Sequence, residues 1–201
     1  MPPPGRTGPV GQVSVPTDGA AQRTSPIRFG VILFLASELL FFGGLFAAYF
    51  ALRARTSPWP PAHVELDLPL ASVATAVLVL SSLTLHLGLT AGERGDLRGL
   101  RTWTWVTIAL GAAFLGMQLW DWAHLDFSVS TAAYGTIFYA MTGLHGLHVA
   151  AGLLLLLVLL GRMAQGAYRE GRLDSAHAIG YYWHFVDGVW IALFATLFLL
   201  R

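Results

Sequence analysis

The sequence predicts an all-α membrane protein, a bundle of five transmembrane helices, and three observations carry that prediction. Of the 201 residues, 55% are hydrophobic and only 11% charged, with a mean hydropathy of +0.61, far too apolar for a soluble domain of this length. Five apolar runs reach the roughly 20 residues of helix that a bilayer requires. All twelve basic residues are arginine, and they cluster between those runs instead of across them. The absence of cysteine excludes disulfide scaffolds, thiolate metal sites and thiol catalysis together. The net charge of +1 says little about partners; membrane lipid and other membrane proteins are expected, and no nucleic acid.

Residues 1–26 read as a disordered cytoplasmic tail: the first 25 hold five of the ten prolines and no apolar pattern. No short apolar region follows a basic start, so the first helix is expected to be a retained anchor. Residues 27–201 form the membrane domain, with helices expected near 28–52, 68–90, 101–122, 137–161 and 179–200. Arg6, Arg23, Arg28, Arg94, Arg98, Arg101, Arg162, Arg169 and Arg172 fall on one side, and only Arg53, Arg55 and Arg201 on the other. By the positive-inside rule the N-terminus is then cytoplasmic and the C-terminus outside. The first outer loop carries Trp59, Pro60 and Pro61, a stiff turn near the interface.

Polar groups inside the runs are the candidate functional residues, because ionisable side chains in lipid are costly and normally face a bundle interior. Glu38, near the middle of the first run, suits proton exchange or a hydrogen bond to a neighbouring helix. Gly43, Gly44, Ala47 and Ala48 follow it as a small-residue surface for close helix packing. In the fourth run, TGLHGLHVAAG places His145 and His148 three apart, on one face, with interhelical hydrogen bonding favoured over metal ligation because the carboxylates and histidines that would complete a metal shell are missing. Gly143, Gly146 and Gly152 around the pair are expected to let a neighbouring backbone approach. The last run holds YYWHFVDGVW, in which His184, Asp187 and Trp190 step along one face as a polar cluster. Gln118 and Asp121 are expected to bond at the outer interface, and Trp103, Trp105, Trp120, Trp122, Tyr181 and Trp183 to form interfacial belts. Arg162 could fork onto a lipid phosphate or simply snorkel.

TGLHGLHV followed by YYWHFVDGVW, with SELLFF in the first run and Trp59, Pro60 and Pro61 in the first outer loop, resembles subunit III of the heme-copper respiratory oxidases, in a short five-helix bacterial form. The resemblance covers residues 27 to the C-terminus. It implies an accessory subunit III of an aerobic, proton-pumping cytochrome c oxidase in the bacterial plasma membrane. Such a subunit packs on catalytic subunit I, with subunit II in the same complex, and supports proton uptake and complex stability. It implies no redox centre or metal in this chain, with heme and copper in the partner subunits and phospholipid bound here. Carried over by position, Glu38 is the family's intramembrane carboxylate; His145, His148, His184 and Asp187 fall in its signature segments; Arg162 matches a lipid-associated arginine, with Trp59 a further lipid-site candidate. Gly188, Asp121 and His177 depart from the residues usual at their positions. The corresponding subunit of a quinol oxidase, or a homologue found beside nitric oxide reductase, shares the signature. A reading of another class is a stand-alone proton channel using Glu38, His148, His184 and Asp187, against which stands the absence of internal repeats and broken helices; a membrane metalloenzyme lacks the ligands.

Overall fold

Without water at the bilayer centre each apolar run must satisfy its own backbone, and helix is the way a single segment does so. The computed structural model describes residues 26–61, 64–168 and 173–200, and there the chain is helical throughout its long elements: α1 Pro26–Arg55, α2 Leu68–Glu93, α3 Leu97–His124, α4 Ala132–Ala164 and α5 Asp174–Phe194, the last running on into a π-helical turn, Ala195–Leu199. All five are long and apolar enough to cross a membrane. The tail before Pro26, and with it the expectation of disorder, lies outside the described residues. The helices overrun the apolar runs at most ends, and two of them open on an aspartate cap. Asp67 accepts from the Leu70 amide at 2.8 Å to open α2, and Asp96 from the Gly99 amide at 2.9 Å to open α3.

α2 and α3 form the tightest pair, an antiparallel hairpin closed by Arg94–Asp96. Gly95 takes the left-handed φ of +82° that this short turn needs. Small side chains keep the two axes close: Thr84 and Thr107 bond through their hydroxyls at 2.9 Å, and Gly88 sits against Trp103 and Leu100.

α5 is the hub. It packs on α1, α2 and α4, and 56% of its apolar stretch is buried within the chain, against 6% for α1. Its central contact is Trp183, 1% exposed, whose indole N–H donates to Ser81 Oγ of α2 at 3.0 Å. The ring lies between Gly111 of α3 and Gly152 of α4, so that one side chain of α5 touches three other helices. The interfacial-belt expectation for Trp183 is therefore wrong. An indole carries one donor and a large apolar body, and two facing glycines with a serine satisfy both inside the bundle. The glycine expectation shifts likewise: Gly152 admits the Trp183 ring, Gly143 the Trp122 ring and Gly146 the Gln118 amide, not neighbouring backbone.

α1 lies at the edge. Gly43 and Gly44 have open space where a Cβ would point, and Ala47 and Ala48 are exposed. The small-residue face thus packs against nothing among the described residues. What holds α1 is a contact at its C-terminal end. Tyr49, 1% exposed, donates its hydroxyl to Thr196 O at 3.2 Å and accepts from Trp59 Nε1 at 3.1 Å. Arg53 reaches Leu200 O beside it.

Candidate functional site

The polar side chains of the spans resolve into pairs that join different helices. Glu38 of α1 meets His148 of α4, Oε2 to Nε2, at 3.0 Å, with about a fifth of each side chain exposed. His148 Nδ1 lies 2.7 Å from Leu144 O, and since a carbonyl only accepts, Nδ1 carries a hydrogen. Nε2 then either accepts from a protonated Glu38 or, on an imidazolium, donates to its carboxylate. In both forms the pair holds one shared hydrogen and is neutral overall, whereas removing it would set two acceptors 3.0 Å apart. The rings of Phe41 and Phe42 flank His148, and Tyr182 of α5 donates to His148 O at 3.0 Å, so the pair is walled by aromatics.

Glu38→Gln is expected to change stability by only a few tenths of a kcal/mol, because an amide N–H can donate to Nε2 in the carboxyl's place. Glu38→Leu is expected to lose roughly 0.6–1.7 kcal/mol, the range of interhelical hydrogen bonds in membranes. Thermal unfolding in detergent, closed as a cycle with His148→Leu, measures the coupling directly.

His145 and His148 do not act as a pair. His145 is fully buried against Trp190, ring centroids 5.0 Å apart, and Phe114 at 5.8 Å, and neither of its ring nitrogens has a hydrogen bond in this structure. Residues three apart on a helix differ by about 60° in direction, enough for one histidine to face α1 and the other α3 and α5. In α5, His184 Nδ1 lies 2.9 Å from Ser82 Oγ of α2. Asp187 is 6% exposed, and its Oδ1 has no partner in this structure. Of the expected His184–Asp187 cluster, it is His184 that gains a partner, a serine on another helix. Gln118 is not interfacial: it is buried and donates through Nε2 to Thr142 O at 2.7 Å, joining α3 to α4.

Arg162 stands at one end of a groove of about 610 Å³ between α1, α4 and α5, lined by Ile27, Phe34, Leu154, Val158 and Tyr182 among others. Its guanidinium carbon is 5.8 Å from the Tyr168 ring centre. Trp59 is folded back onto Tyr49 and Tyr134, half-buried in the bundle end.

Several residues escaped the sequence reading. Ser82 carries a signal, as half of a Ser-Ser pair within an apolar run. Glu93 of α2 does as well, seven residues from His86 and so on one face with it, as His177 is with His184 on α5. His177 Nε2 lies 3.3 Å from Glu93 Oε1. Tyr182 and Tyr49 carry no comparable signal. Among the described residues no three histidine, aspartate or glutamate side chains gather into a metal-holding group.

A sequence profile of the family described as cytochrome c oxidase subunit III matches residues 16–200. The probable cytochrome c oxidase subunit 3 of Nocardia farcinica is 46% identical over 183 residues, covering 89% of this chain and 90% of that protein. The cytochrome c oxidase subunit 3 of Thermostichus vulcanus is 42% identical over 172 residues, 85% of this chain and 86% of its own, and that of Corynebacterium diphtheriae 40% over 188 residues, 90% and 92%. With five membrane-crossing helices and bacterial relatives over nearly its whole length, the chain is a multi-pass protein of the plasma membrane, and it belongs to the cytochrome c oxidase subunit III family.

Proposed function

We propose that this chain is the accessory subunit III of an aerobic cytochrome c oxidase, packed on the catalytic heme-copper subunit, with subunit II in the same complex. The observation that carries this is how its polar residues are used. Glu38 engages His148, Gln118 the Thr142 carbonyl, and His184 meets Ser82. These bonds hold helices in register, which is what a subunit without chemistry of its own requires. The open small-residue face of α1, Gly43 to Ala48, offers a surface on which a partner helix can pack closely. Heme and copper belong to the partners, and this chain is not itself catalytic. The N-terminus faces the cytoplasm and the C-terminus the outside, in keeping with the arginine asymmetry. The groove ending at Arg162 takes a phospholipid, acyl chains along its apolar walls and phosphate at the guanidinium.

A mild-detergent purification of the tagged chain from native membranes, with a reduced-minus-oxidised visible spectrum and a subunit inventory, tests the reading. Heme absorbance with a large multi-helix partner and a copper-binding subunit is expected. A heme partner lacking a copper-binding subunit would point to quinol as donor, and a colourless chain purifying alone would overturn the proposal. In the same purification Glu38→Gln is expected to assemble normally, while His184→Ala with Asp187→Ala lowers the yield of partner subunits. Stoichiometric recovery of that double variant would overturn the role given to the Ser82 cluster.

A further inference from the structure

We infer that the outward face of α5, with the flank of α2 beside it, is where this chain meets its membrane partner, and that the partner presents to His86 and His184 a transmembrane helix carrying a carboxylate. Among the described residues His86, Tyr181 and His184 are the titratable side chains exposed two turns or more inside a span. His86 lies about 10 Å along α2 from Glu93, and His184 about 15 Å along α5 from Asp174. Ionisable groups at such depth are costly against lipid, and they are normally turned to protein or to a water-filled cavity. The faces of α1 and α4 obey that rule. They turn Phe29, Leu33 and Leu40, and Leu147, Leu154 and Leu157, outward, while their own ionisable pair, Glu38 and His148, is closed on itself.

The chemistry of the two imidazoles selects the occupant. Ser82 takes His184 Nδ1 at 2.9 Å, which leaves Nε2 for another group, and His86 has no hydrogen bond among the described residues. The acid of the pocket they line, Glu93, lies 3.3 Å from His177 and is engaged there. Two bases are thus left without an acid, and the Tyr181 phenol on the same pocket wall adds a donor. A carboxylate accepts only, so it can receive an imidazole N–H whether the ring is neutral or charged. A lipid phosphate stays in the headgroup layer, outside the hydrocarbon, and does not reach this depth. The pocket holds about 240 Å³, room for several waters, and water is the competing occupant.

The surface around the imidazoles is shaped to take a helix. Leu83 and Leu87 flank His86, and Gly188 and Ile191 follow His184 along α5, all exposed. Gly188 has open space where a Cβ would point, and with Gly43 of α1 it borders an apolar recess of about 300 Å³. The open face of α1 and the imidazoles therefore belong to one continuous surface across α1, α5 and α2, small and apolar at one edge and basic at the other. For the identity of the partner, the catalytic heme-copper subunit, this rests on the proposed oxidase reading.

Photo-crosslinking in the complex purified from native membranes tests the inference. With Leu83 or Ile191 replaced by benzoylphenylalanine, adducts to the heme-bearing partner are expected; with Leu154 of α4 replaced, adducts to lipid alone. His86→Leu is expected to leave thermal unfolding of the isolated chain unchanged and to lower the heme that co-purifies about threefold, the worth of one interhelical hydrogen bond. His86→Gln, which keeps a donor, should restore it. In the intact complex both histidines are expected to resist diethyl pyrocarbonate under conditions that modify the exposed His124. Modification as fast as that of His124 would make the pocket water-filled and overturn the inference. Adducts from Leu83 and Ile191 to lipid alone, with heme still co-purifying, would overturn it too while the oxidase reading stands. A colourless chain purifying alone would overturn the oxidase reading and the inference with it.

Discussion

Trp183→Ala is expected to cost about 3–5 kcal/mol of folding stability, the range for deleting a buried large aromatic side chain. The ring is 1% exposed and touches α2, α3 and α4 at once, so its removal loosens three helix contacts and leaves Ser81 Oγ with only its bond to Leu78 O. The complementary change should fail from the other direction. A Cβ on Gly152 would lie 2.8 Å from Trp183 Cε3 and one on Gly111 2.6 Å from Cη2. Both atoms belong to a rigid ring, and overpacking of this kind costs about 1–3 kcal/mol per site. Gly43→Ala, with nothing within 4 Å, is the matched control and should leave the isolated chain no less stable. Equilibrium unfolding in detergent, followed by far-ultraviolet circular dichroism, ranks the four variants. A loss below about 1 kcal/mol for Trp183→Ala, within the ordinary spread of point mutations, would remove the ring from the centre of the account.

Tyr49→Ala is expected to release α1 from the bundle. Buried aromatic loss again sets the scale at about 3–5 kcal/mol, and here it falls on the helix with the least contact, 6% of whose apolar stretch is buried within the chain. The substitution removes the donor to Thr196 O, the acceptor of Trp59 N–H and the edge-to-face contact with the Trp59 ring at 5.4 Å. The Glu38–His148 bond, the Phe34–Tyr182 and Phe42–His148 ring contacts and Arg53 on Leu200 O would then hold α1. A disulfide engineered between the Tyr49 end of α1 and the C-terminal turn should restore the lost stability. Hydrogen exchange is expected to rise through α1 while α2 and α3 remain protected; a uniform rise over all five helices would mean that Tyr49 supports the fold as a whole.

The helices were legible because hydropathy and length alone identify a membrane crossing, and Glu38, His148, His184 and Asp187 because charge in such a run stands out. Their partners were not. Glu38 and His148 are 110 residues apart, and a spacing of three within α4 says which way two histidines point relative to each other, not which helix each will meet. Trp183 was misread for a related reason. An indole two residues from a tyrosine fits an interfacial belt and a glycine-lined slot equally well in one dimension. The slot becomes visible only once Gly111, Gly152 and Ser81, from three other helices, stand around it. Ser82 was overlooked because a hydroxyl in lipid is cheap enough to look structural, although it meets His184 of α5 across the helix pair.

That the hub is the last helix bears on biosynthesis. A ribosome delivers α1 first and α5 last, so α1 enters the bilayer long before Tyr49 can meet Thr196 or Tyr182 can reach His148. The α2–α3 hairpin, closed by Asp96 and the threonine pair, can form as soon as it is inserted, and α4 can join it through Gln118 and Thr142 and meet α1 through His148 and Glu38, but the contacts at the centre of the bundle must wait for α5. A nascent chain stopped before residue 174 would leave the Gly111 and Gly152 faces uncovered, Ser81 without the Trp183 donor and Ser82 without His184. Completion of the bundle is thereby tied to the synthesis of α5.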